Sequence, residues 1–396
     1  MKKNIADKIQ DLQFFGEFGG INPSISDSSS FTYLKAETME SVFEGNIQGC
    51  HLYSRHTNPS NKYLSKALSI LENSDSAYVT SSGMAAISTC ILQVCKQGDE
   101  IISNRTIYGG TYALFKNFLP KLGIKVHFVD FNNLKLIEKH LSKKTKVIYC
   151  ESMSNPLNEL VDFSKISILN KQYGTKLIVD NTFTPLIFTP INLGADIVIH
   201  SLTKFINGAS DGVGGVICGK KEFIDSLKDV NNGSGMLLGP VIDSFRASSI
   251  LKNLKTLHIR MKQHSFNALY LAENLAKDGH KVFYTGLKNH PHFNLMIKHY
   301  NKEFGFGGMM VLDMKNKVKA FKLMEKMQRN NIGYLAVSLG YYKTLFSSPS
   351  SSTSSEIPEK EKEILGISDG LVRFSVGIDN DIERTYKKIK NIMNKI

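Results

Sequence analysis

Short apolar segments alternate with amphipathic helical segments between residues 62 and 230, and this alternation limits the fold more than any other feature of the chain. Near-continuous runs of β-branched and aliphatic residues are typical of strands buried on both faces of a sheet. The predicted strands are 77–80, 125–129, 146–150, 176–179, 196–199 and 215–218, and a helix is predicted over 84–95. Strands separated by helices predict an α/β fold with a mostly parallel sheet.

A chain of 396 residues is long enough for two or three domains. Residues 1–60 are predicted to form an irregular arm, because glycines and serines interrupt them too often for long elements. The aromatic side chains of this arm suggest that it docks on another subunit. The sheet domain is predicted over 61–250, and a smaller α+β domain over 251–396. Within these limits, a helical stretch is predicted at 241–279 and two further strands at 308–313 and 371–376.

Composition excludes several classes of protein. Apolar residues make up 42% of the chain and charged residues 21%, as in ordinary folded proteins. No apolar run is long enough to cross a membrane, and the polar N-terminus lacks the apolar core of a secretory signal. Five cysteines without a CxxC pair are typical of a reducing cytoplasm, so we expect a cytoplasmic protein with no membrane partner.

The formal charge of +13 raises the question of nucleic-acid binding. The excess lysines are scattered, and no long basic block or nucleic-acid-binding signature is present. Diffuse surface charge is therefore the favoured interpretation, and we expect no nucleic-acid partner. The chain also lacks a GxxxxGK[ST] phosphate loop and a complete GxGxxG motif. The His290–His292 pair has no further ligand nearby, so no metal site is expected.

Three segments follow or open predicted elements at one edge of the predicted sheet. Ser81–Ala86 follows a strand and opens a helix, which makes either a phosphate site or simply a capped helix. Asp180 ends a buried strand, where open α/β sheets place ligands, although a helix cap or a surface ion pair would also use a carboxylate. Lys204 follows another buried strand, and a single lysine is more often a solvated surface charge.

Taken together, these segments point to pyridoxal phosphate (PLP). Lys204 can form a Schiff base with a carbonyl cofactor, while the hydroxyls of Ser201 and Thr203 can hold a phosphate. Asp180 would keep the pyridine nitrogen protonated, so that the ring can accept electrons. A helix N-terminus, two hydroxyls, a lysine and an aspartate at one sheet edge are the groups that this cofactor needs.

The strand Leu371–Ile378 carries Arg373 and Ser375 on one face and apolar side chains on the other. A guanidinium beside an apolar strand needs an anion, which could be an amino-acid carboxylate or the partner in a buried salt bridge; the segment alone leaves both open. Ser347–Ser355, in which seven of nine residues are serine, is interpreted as a flexible loop or an active-site loop.

The chain resembles the Cys/Met-metabolism family of fold-type I PLP enzymes. The matching segments are 53–60, 81–87, 108–110, 151–156, 180–182, 201–204 and 371–377. They occur in the family's order and span most of the chain. Within the family, the chain is most similar to plant-type methionine γ-lyases, through residues 17–20, 236–240, 338–342 and 351–356.

The resemblance implies a role for each matched position. Lys204 would bind PLP covalently and act as the catalytic base. Tyr108 would stack on the ring and donate a proton to the departing sulfur, its pKa lowered by Arg55 and Lys204. The remaining implied roles are pairing with the pyridine nitrogen for Asp180, phosphate binding for Gly83, Met84, Ser201 and Thr203, contact with the neighbouring subunit's cofactor for Tyr53 and Arg55, and substrate binding for Asn155, Ser338 and Arg373.

The activity implied is that of a PLP-dependent carbon–sulfur lyase which converts L-methionine to methanethiol, 2-oxobutyrate and ammonia. The alternatives are γ-replacement, as in cystathionine γ-synthase or O-acylhomoserine sulfhydrylase, and then cystathionine γ- or β-lyase. A non-enzymatic basic binding protein would explain the charge but not Lys204, Asp180 and Arg373. The resemblance also implies a homo-oligomer, a dimer of dimers.

The residues at positions 110 and 337 differ between branches of the family. Gly110 stands where bacterial methionine γ-lyases carry a cysteine, two residues after the stacking tyrosine. Val337 stands where cystathionine γ-lyases are expected to place a glutamate suited to a distal ammonium. An apolar valine suits a plain thioether side chain, so Val337 favours methionine over cystathionine as substrate.

Overall fold

A computed structural model of the protein describes residues 4–43, 47, 49–352, 354 and 356–396. Two positions of the serine-rich segment, Thr353 and Ser355, therefore lie outside the described residues. The strands are β1 (Ser76–Thr80), β2 (Glu100–Asn104), β3 (Lys125–Val129), β4 (Thr145–Glu151), β5 (Lys176–Asp180), β6 (Ile197–Ser201), β7 (Gly215–Gly219), β8 (Lys281–Phe283), β9 (Met309–Asp313), β10 (Gly333–Leu335), β11 (Thr344–Ser347) and β12 (Leu371–Ser375). The α-helices are α1 (Ile5–Gln10), α2 (Thr38–Phe43), α3 (Pro59–Glu72), α4 (Gly83–Val94), α5 (Gly109–Ala113), α6 (Leu134–His140), α7 (Phe163–Tyr173), α8 (Lys221–Ser226), α9 (Ser234–Leu238), α10 (Ser244–Leu254), α11 (Leu257–Lys277), α12 (Phe293–His299), α13 (Lys317–Arg329), α14 (Glu359–Ile364) and α15 (Ile382–Met393).

The larger sheet has seven strands in the order β1-β7-β6-β5-β4-β2-β3. Its strands are parallel except at β7, which pairs antiparallel with both β1 and β6. The predicted mostly parallel sheet is therefore confirmed, and every strand predicted for it is present. The sequence missed β2, because only Ile101 and Ile102 are apolar in this segment, a run too short to stand out.

Helices cover both faces of this sheet, and alternate strand residues face opposite layers. On one side, Leu68 of α3 joins a core that includes Val179 of β5. On the other side, Ile87 of α4 joins a second core that includes Ile178, the preceding residue of the same strand. Because nearly all residues of the central strands are buried on one side or the other, these strands appear in the sequence as continuous apolar runs.

Local capping fixes where α3 and α4 begin. The side chain of Asn58 accepts a hydrogen bond from the backbone N–H of Ser60, and Pro59 occupies the first turn of α3. The Ser82 side chain accepts from the N–H of Ala85 and starts α4 directly after β1. The N-terminus of α4 is thereby held at the edge of the sheet.

The C-terminal part contains a second sheet of five strands, ordered β10-β11-β12-β9-β8. The predicted strands at 308–313 and 371–376 are confirmed as β9 and β12, which pair antiparallel. The predicted helical stretch at 241–279 is formed by α10 and α11. Three short strands, β8, β10 and β11, were not predicted. The domain limits at residues 60 and 250 stay predictions.

The N-terminal arm contains only short helices, α1 and α2, among its described residues. Ile5 and Ile9 of α1 pack on the core that α3 shares. All five cysteines are free thiols, and Cys50 is the exposed one. In the described part of the chain, no helix is both long enough and apolar enough to cross a membrane.

Two isoleucines on α7 provide a matched test of the packing. The side chain of Ile166 is 0% exposed and that of Ile168 is 65% exposed. Ile166→Ala is expected to lower the free energy of unfolding by about 2–5 kcal/mol, because it leaves a cavity in the core. Ile168→Ala is expected to change it by less than about 0.5 kcal/mol. Urea unfolding followed by circular dichroism measures both; equal losses would contradict the assigned helix face.

Candidate active site

A cavity of about 500 Å³ opens at the carboxyl ends of β4, β5 and β6. One wall comes from the large sheet and α4, and the other from the segment before β11 and from β12. Ten of the twelve predicted site residues line it. They are Gly83, Met84, Tyr108, Asn155, Asp180, Ser201, Thr203, Lys204, Ser338 and Arg373.

Lys204 lies in the turn that follows β6, and its side chain points across the cavity. Its Nζ donates a hydrogen bond to Oγ of Ser338 over 3.1 Å. Burial, and after it the positive charge of Arg373, lowers the pKa of Lys204 to about 8. Near neutral pH a much larger fraction of this amine is therefore neutral than of an ordinary lysine, and the neutral form attacks a carbonyl carbon.

Asp180 is the last residue of β5, and its carboxylate faces the cavity. Oδ1 accepts hydrogen bonds from the backbone N–H of Thr182 (3.0 Å) and from its hydroxyl (2.5 Å). Within the described residues it has no ion-pair partner and caps no helix, so neither alternative interpretation applies. Burial raises the pKa of Asp180, while the bonds from Thr182 and the charge of His200 lower it. Such a carboxylate suits a cationic ring nitrogen.

Arg373, in the middle of β12, is only 3% exposed. It donates from Nη1 to Oδ1 of Asn155 and from Nη2 to the carbonyl of Ser338, each over 3.2 Å. In the described structure its Nε has no hydrogen-bond partner, and no carboxylate pairs with it. The buried-salt-bridge interpretation is thus not supported. A buried cation that lines a cavity and has no carboxylate partner among the described residues fits the carboxylate of an amino acid.

The start of α4 forms a cradle for an anion. The first backbone N–H groups of a helix have no partners inside the helix, and here they face the cavity through Gly83 and Met84. A Cβ atom at position 83 would lie 2.8 Å from Cβ of Ser201, so only glycine permits this close approach. Thr203 lies alongside and accepts a bond from the N–H of Gly214 over 3.2 Å.

Tyr108 lines the cavity just before α5, and its side chain is 42% exposed. Its backbone N–H donates to Oε1 of Glu151 over 2.5 Å. Lys204 of the same chain is not among the groups that lower the pKa of Tyr108, and the effect predicted for Arg55, which involves a neighbouring subunit, stays a prediction. Burial and the carboxylate of Glu356 raise the pKa of Tyr108, and Arg373 is the group that opposes them. Arg55 does not line this cavity.

Gly110 explains one departure from bacterial methionine γ-lyases. A Cβ atom at this position would lie 2.6 Å from Cε1 of the Tyr108 ring. The ring therefore occupies the space that a side chain at position 110 would need. The glycine is matched to this orientation of Tyr108.

Tyr53 and Arg55 are the two predicted site residues that lie elsewhere. Arg55 donates from Nη1 to the carbonyl of Met236 over 3.0 Å, and its guanidinium lies 5.6 Å from the centre of the Tyr53 ring. The role implied for both residues is in a neighbouring subunit's site, which a single chain does not test. That role stays a prediction.

Three of the other residues that line the cavity bear on its chemistry, although the sequence assigned them no role. Thr182 fixes Asp180, and an Asp-x-Thr sequence after a strand could have indicated this turn. Glu151 ends β4 directly opposite Asp180 in the parallel register. The criterion that singled out Asp180, a carboxylate at the carboxyl end of a buried strand, therefore also singles out Glu151. Glu356 reaches the cavity because of the path that the loop before α14 takes. No local sequence pattern predicts that path.

Comparison with known proteins gives a consistent result. A profile of the family described as Cys/Met metabolism PLP-dependent enzymes matches residues 8–388. A methionine γ-lyase of Arabidopsis thaliana is 40% identical, with 95% of this chain and 87% of that protein aligned. An L-methionine γ-lyase of Fusobacterium nucleatum is 37% identical, with 94% and 95% aligned. An O-succinylhomoserine sulfhydrylase of Pseudomonas aeruginosa is 34% identical, with 92% and 88% aligned.

Among solved structures, a Campylobacter jejuni protein assigned as an O-acetylhomoserine (thiol)-lyase superimposes with a TM-score of 0.92. It is 27% identical, and the match covers 99% of this chain and all of that one. That structure carries N′-pyridoxyl-lysine-5′-monophosphate. The groups in the present cavity fit the same cofactor: an amine of lowered pKa, an unpaired carboxylate, an anion cradle and a guanidinium with a free donor.

The lowered pKa of Lys204 gives a direct prediction for the cofactor-free protein. The rate at which an amine reagent modifies Lys204 should rise with pH around a midpoint near 8, since the neutral amine is the reactive form. Arg373→Leu should move that midpoint upward, because it removes a positive charge. Peptide mass spectrometry against pH measures the rate, with exposed Lys171 as the internal control. A midpoint near about 10.4, the ordinary value for lysine, would contradict the burial of this amine.

Proposed function

The chain belongs to the Cys/Met metabolism family of PLP-dependent enzymes, and we propose that it is a carbon–sulfur lyase that converts L-methionine to methanethiol, 2-oxobutyrate and ammonia. The observation that carries this proposal is the cavity in which Lys204, Asp180 and Arg373 meet. The 40% identity to a methionine γ-lyase supports the choice of substrate.

The residues that would hold the cofactor are those at the sheet edge. Lys204 would bind it, Asp180 would face its ring nitrogen and Tyr108 would lie against its ring. Gly83, Met84, Ser201 and Thr203 would bind its phosphate, with Tyr53 and Arg55 contributed by a neighbouring subunit. When bound, PLP supplies an electron sink for the carbanion formed next to the amino group.

Arg373 is the main determinant of substrate position in this proposal. Its guanidinium is held by Asn155 and by the carbonyl of Ser338, and Arg373 lines the cavity, where it can bind the substrate carboxylate. A carboxylate bound there lies on the same side of the cavity as Lys204, whose amine is already oriented by Ser338. Neutral Lys204 can then remove the proton from the α-carbon.

Tyr108 is suited to act as an acid. A phenol whose pKa is raised stays protonated at neutral pH and can donate its proton to the sulfur that leaves. The structure of the site thus supports the role that the resemblance implies, although by a raised pKa and not a lowered one.

The apolar part of the cavity lining favours an uncharged substrate side chain. Val337, Met153 and Phe183 line the cavity with apolar atoms, which suit a thioether. Glu356 is the exposed carboxylate among the lining residues, and it would repel a leaving group that carries a negative charge. The side chain of methionine has no charge, so the apolar lining does not disfavour it and Glu356 does not repel it.

A γ-replacement reaction is the second candidate, and the 34% identity to an O-succinylhomoserine sulfhydrylase supports it. It would use the same residues for cofactor and carboxylate and differ in the leaving group and in a second substrate. The charge of Glu356 disfavours binding of the acidic O-succinyl group but not of O-acetylhomoserine.

We also propose that the protein is cytoplasmic and that it assembles as a dimer of dimers.

The test is an absorption spectrum of the purified protein, followed by addition of methionine. We expect a band near about 420 nm that is lost in Lys204→Ala, and release of both 2-oxobutyrate and free thiol. A band without those products, together with turnover of O-acetylhomoserine plus a thiol, would replace elimination by γ-replacement. Turnover of cystathionine alone would move the assignment to a cystathionine lyase. No band after addition of PLP would contradict the cofactor assignment.

Tyr108→Phe tests the proton donor. We expect methionine elimination to fall by about 10²–10⁴-fold, because the departing sulfur loses its acid, while the affinity for PLP stays within about threefold. Tyr112→Phe is the matched control, since Tyr112 bonds to Glu361 and does not line the cavity. Steady-state rates and cofactor titration measure the two effects. Equal losses of both in Tyr108→Phe would contradict the acid role.

Glu356→Gln tests the charge selectivity. We expect kcat/KM for O-succinylhomoserine to rise by about 3–10-fold, because a repulsion across a solvent-screened distance is removed, and kcat/KM for methionine to stay within about twofold. The rise should shrink at high salt. Glu363→Gln is the control, since Glu363 is exposed on α14 outside the cavity. A similar gain in both variants would attribute the effect to overall charge.

A further inference from the structure

The serine-rich segment, residues 347–355, is largely buried in its described part, although its composition is typical of a flexible loop. Its buried serines are Ser347, Ser348, Ser350 and Ser354. Buried backbone groups need hydrogen-bond partners. The backbone N–H groups of Ser352 and Ser354 both donate to the carbonyl of Pro349, over 3.2 and 3.0 Å. These bonds give the segment a defined course.

The segment forms part of the wall of the candidate active site. It begins at Ser347, the last residue of β11, which pairs with Arg373 in the antiparallel register of β11 and β12. Further along the chain, Ser352 lines the cavity, and so does Glu356 directly after the segment. Oγ of Ser352 donates to the carbonyl of Ser348 over 2.6 Å. The course of this segment therefore decides which side chains face the cavity that Arg373 also lines.

Lys362 of α14 joins the segment to the helix that follows it. Its Nζ donates to the carbonyl of Ser350 over 3.1 Å and to Oε1 of Glu359 over 2.7 Å. Glu359 belongs to the same helix, so the bond to Ser350 is the one that leaves the helix. Because Ser352 and Glu356 lie between Ser350 and Lys362 in the sequence, this bond closes a loop that contains both cavity-lining residues.

The burial of Lys362 points to the purpose of this bond. The residue is only 5% exposed. Lysine is almost never fully buried unless its charge has a partner, because an ammonium group that leaves water loses its hydration. The side chain of Glu359 is 80% exposed, so an ion pair with it could also form at the helix surface. What the buried position adds is the contact with the carbonyl of Ser350, and a charged donor makes that bond strong.

We propose that Lys362 is a positioning residue, which holds the serine-rich segment in the place where Ser352 and Glu356 line the substrate cavity. Lys362 does not line the cavity itself, so it acts through the segment and not by contact with the substrate. The groups assigned to the chemistry, Lys204 and Tyr108, are not among its partners. This inference rests on the proposed function in that the cavity binds an amino acid, but it does not depend on which one.

The test measures the order of the segment and the binding of substrate in the PLP-loaded protein. Lys362→Met keeps an unbranched apolar stem and removes the amine. Hydrogen–deuterium exchange of peptides covering residues 348–352 should become at least about tenfold faster, because the segment loses a hydrogen bond from a charged donor. KM for methionine should rise by about 3–30-fold while kcat stays within about threefold, since binding is weakened and the reacting groups are unchanged.

Four further measurements separate positioning from loss of charge or stability. Lys362→Arg keeps a cationic donor and should leave exchange and KM within about threefold of the wild type. Lys360→Met removes an exposed lysine from the same helix and should change neither. Thermal unfolding records the stability of every variant. If Lys362→Met does not fold, Lys362→Gln replaces it, because its shorter neutral side chain falls short of the Ser350 carbonyl.

Unchanged exchange of residues 348–352 in the folded variant that lacks the amine would overturn the inference. A lower kcat with unchanged KM would also overturn it, because the lysine would then support the reacting groups and not the substrate-binding wall. Equal effects of Lys362→Arg and Lys362→Met would do the same, since the amine would not be the group that matters.

Failure of the proposed function would be distinguishable from failure of this inference. The exchange measurement needs no substrate, so it tests the bond between Lys362 and the segment even in a protein that does not cleave methionine. In that case KM is measured with whichever of O-acetylhomoserine and cystathionine is turned over, and the same rise is expected. A protein that binds no PLP and turns over none of these amino acids would contradict the proposed function, and with it the role of Lys362 in substrate binding.

Discussion

The parallel pairing of β4, β5 and β6 is the constraint on which the rest of the structure depends. Backbone hydrogen bonds place Glu151 opposite Asp180, and Asp180 opposite Ile199, with neighbouring strands about 4.8 Å apart. Residues far apart in the sequence therefore end at one edge of the sheet. Because α4 begins at the same edge, its free N–H groups, a carboxylate and the amine of Lys204 share one cavity.

This convergence places like charges together, and among the described residues no salt bridge joins Lys204, Arg373, Asp180 or Glu151 to an opposite charge. Burial and then the charge of Arg373 lower the pKa of Lys204, while burial and then the charge of Asp180 raise the pKa of Glu151. A ligand that carries a phosphate, a cationic ring nitrogen and a carboxylate would resolve both sets of charges at once. The charges that line the cavity are unbalanced, so we expect its ligand to carry the complementary charges.

The sequence predicted the parts of the fold that rest on local patterns. The other six strands of the large sheet stand out as apolar runs, whereas β2 of that sheet and β8, β10 and β11 of the smaller sheet are too short or too polar to do so. Asp180, Lys204 and Arg373 could be recognised from their places at or within strands. The raised pKa of Tyr108 could not be predicted, because Glu356 reaches it only through the path of a loop. Tyr53 and Arg55 depend on a second chain.

Borohydride reduction of the purified, PLP-loaded protein, followed by peptide mass spectrometry, tests most directly that this sheet edge is a PLP site. Reduction makes the bond between cofactor and lysine permanent. If the geometry described here is right, the pyridoxyl group is found on the peptide that contains Lys204, and Lys204→Ala carries none. A pyridoxyl group on another lysine, or unchanged labelling in Lys204→Ala, would contradict the assignment of the site.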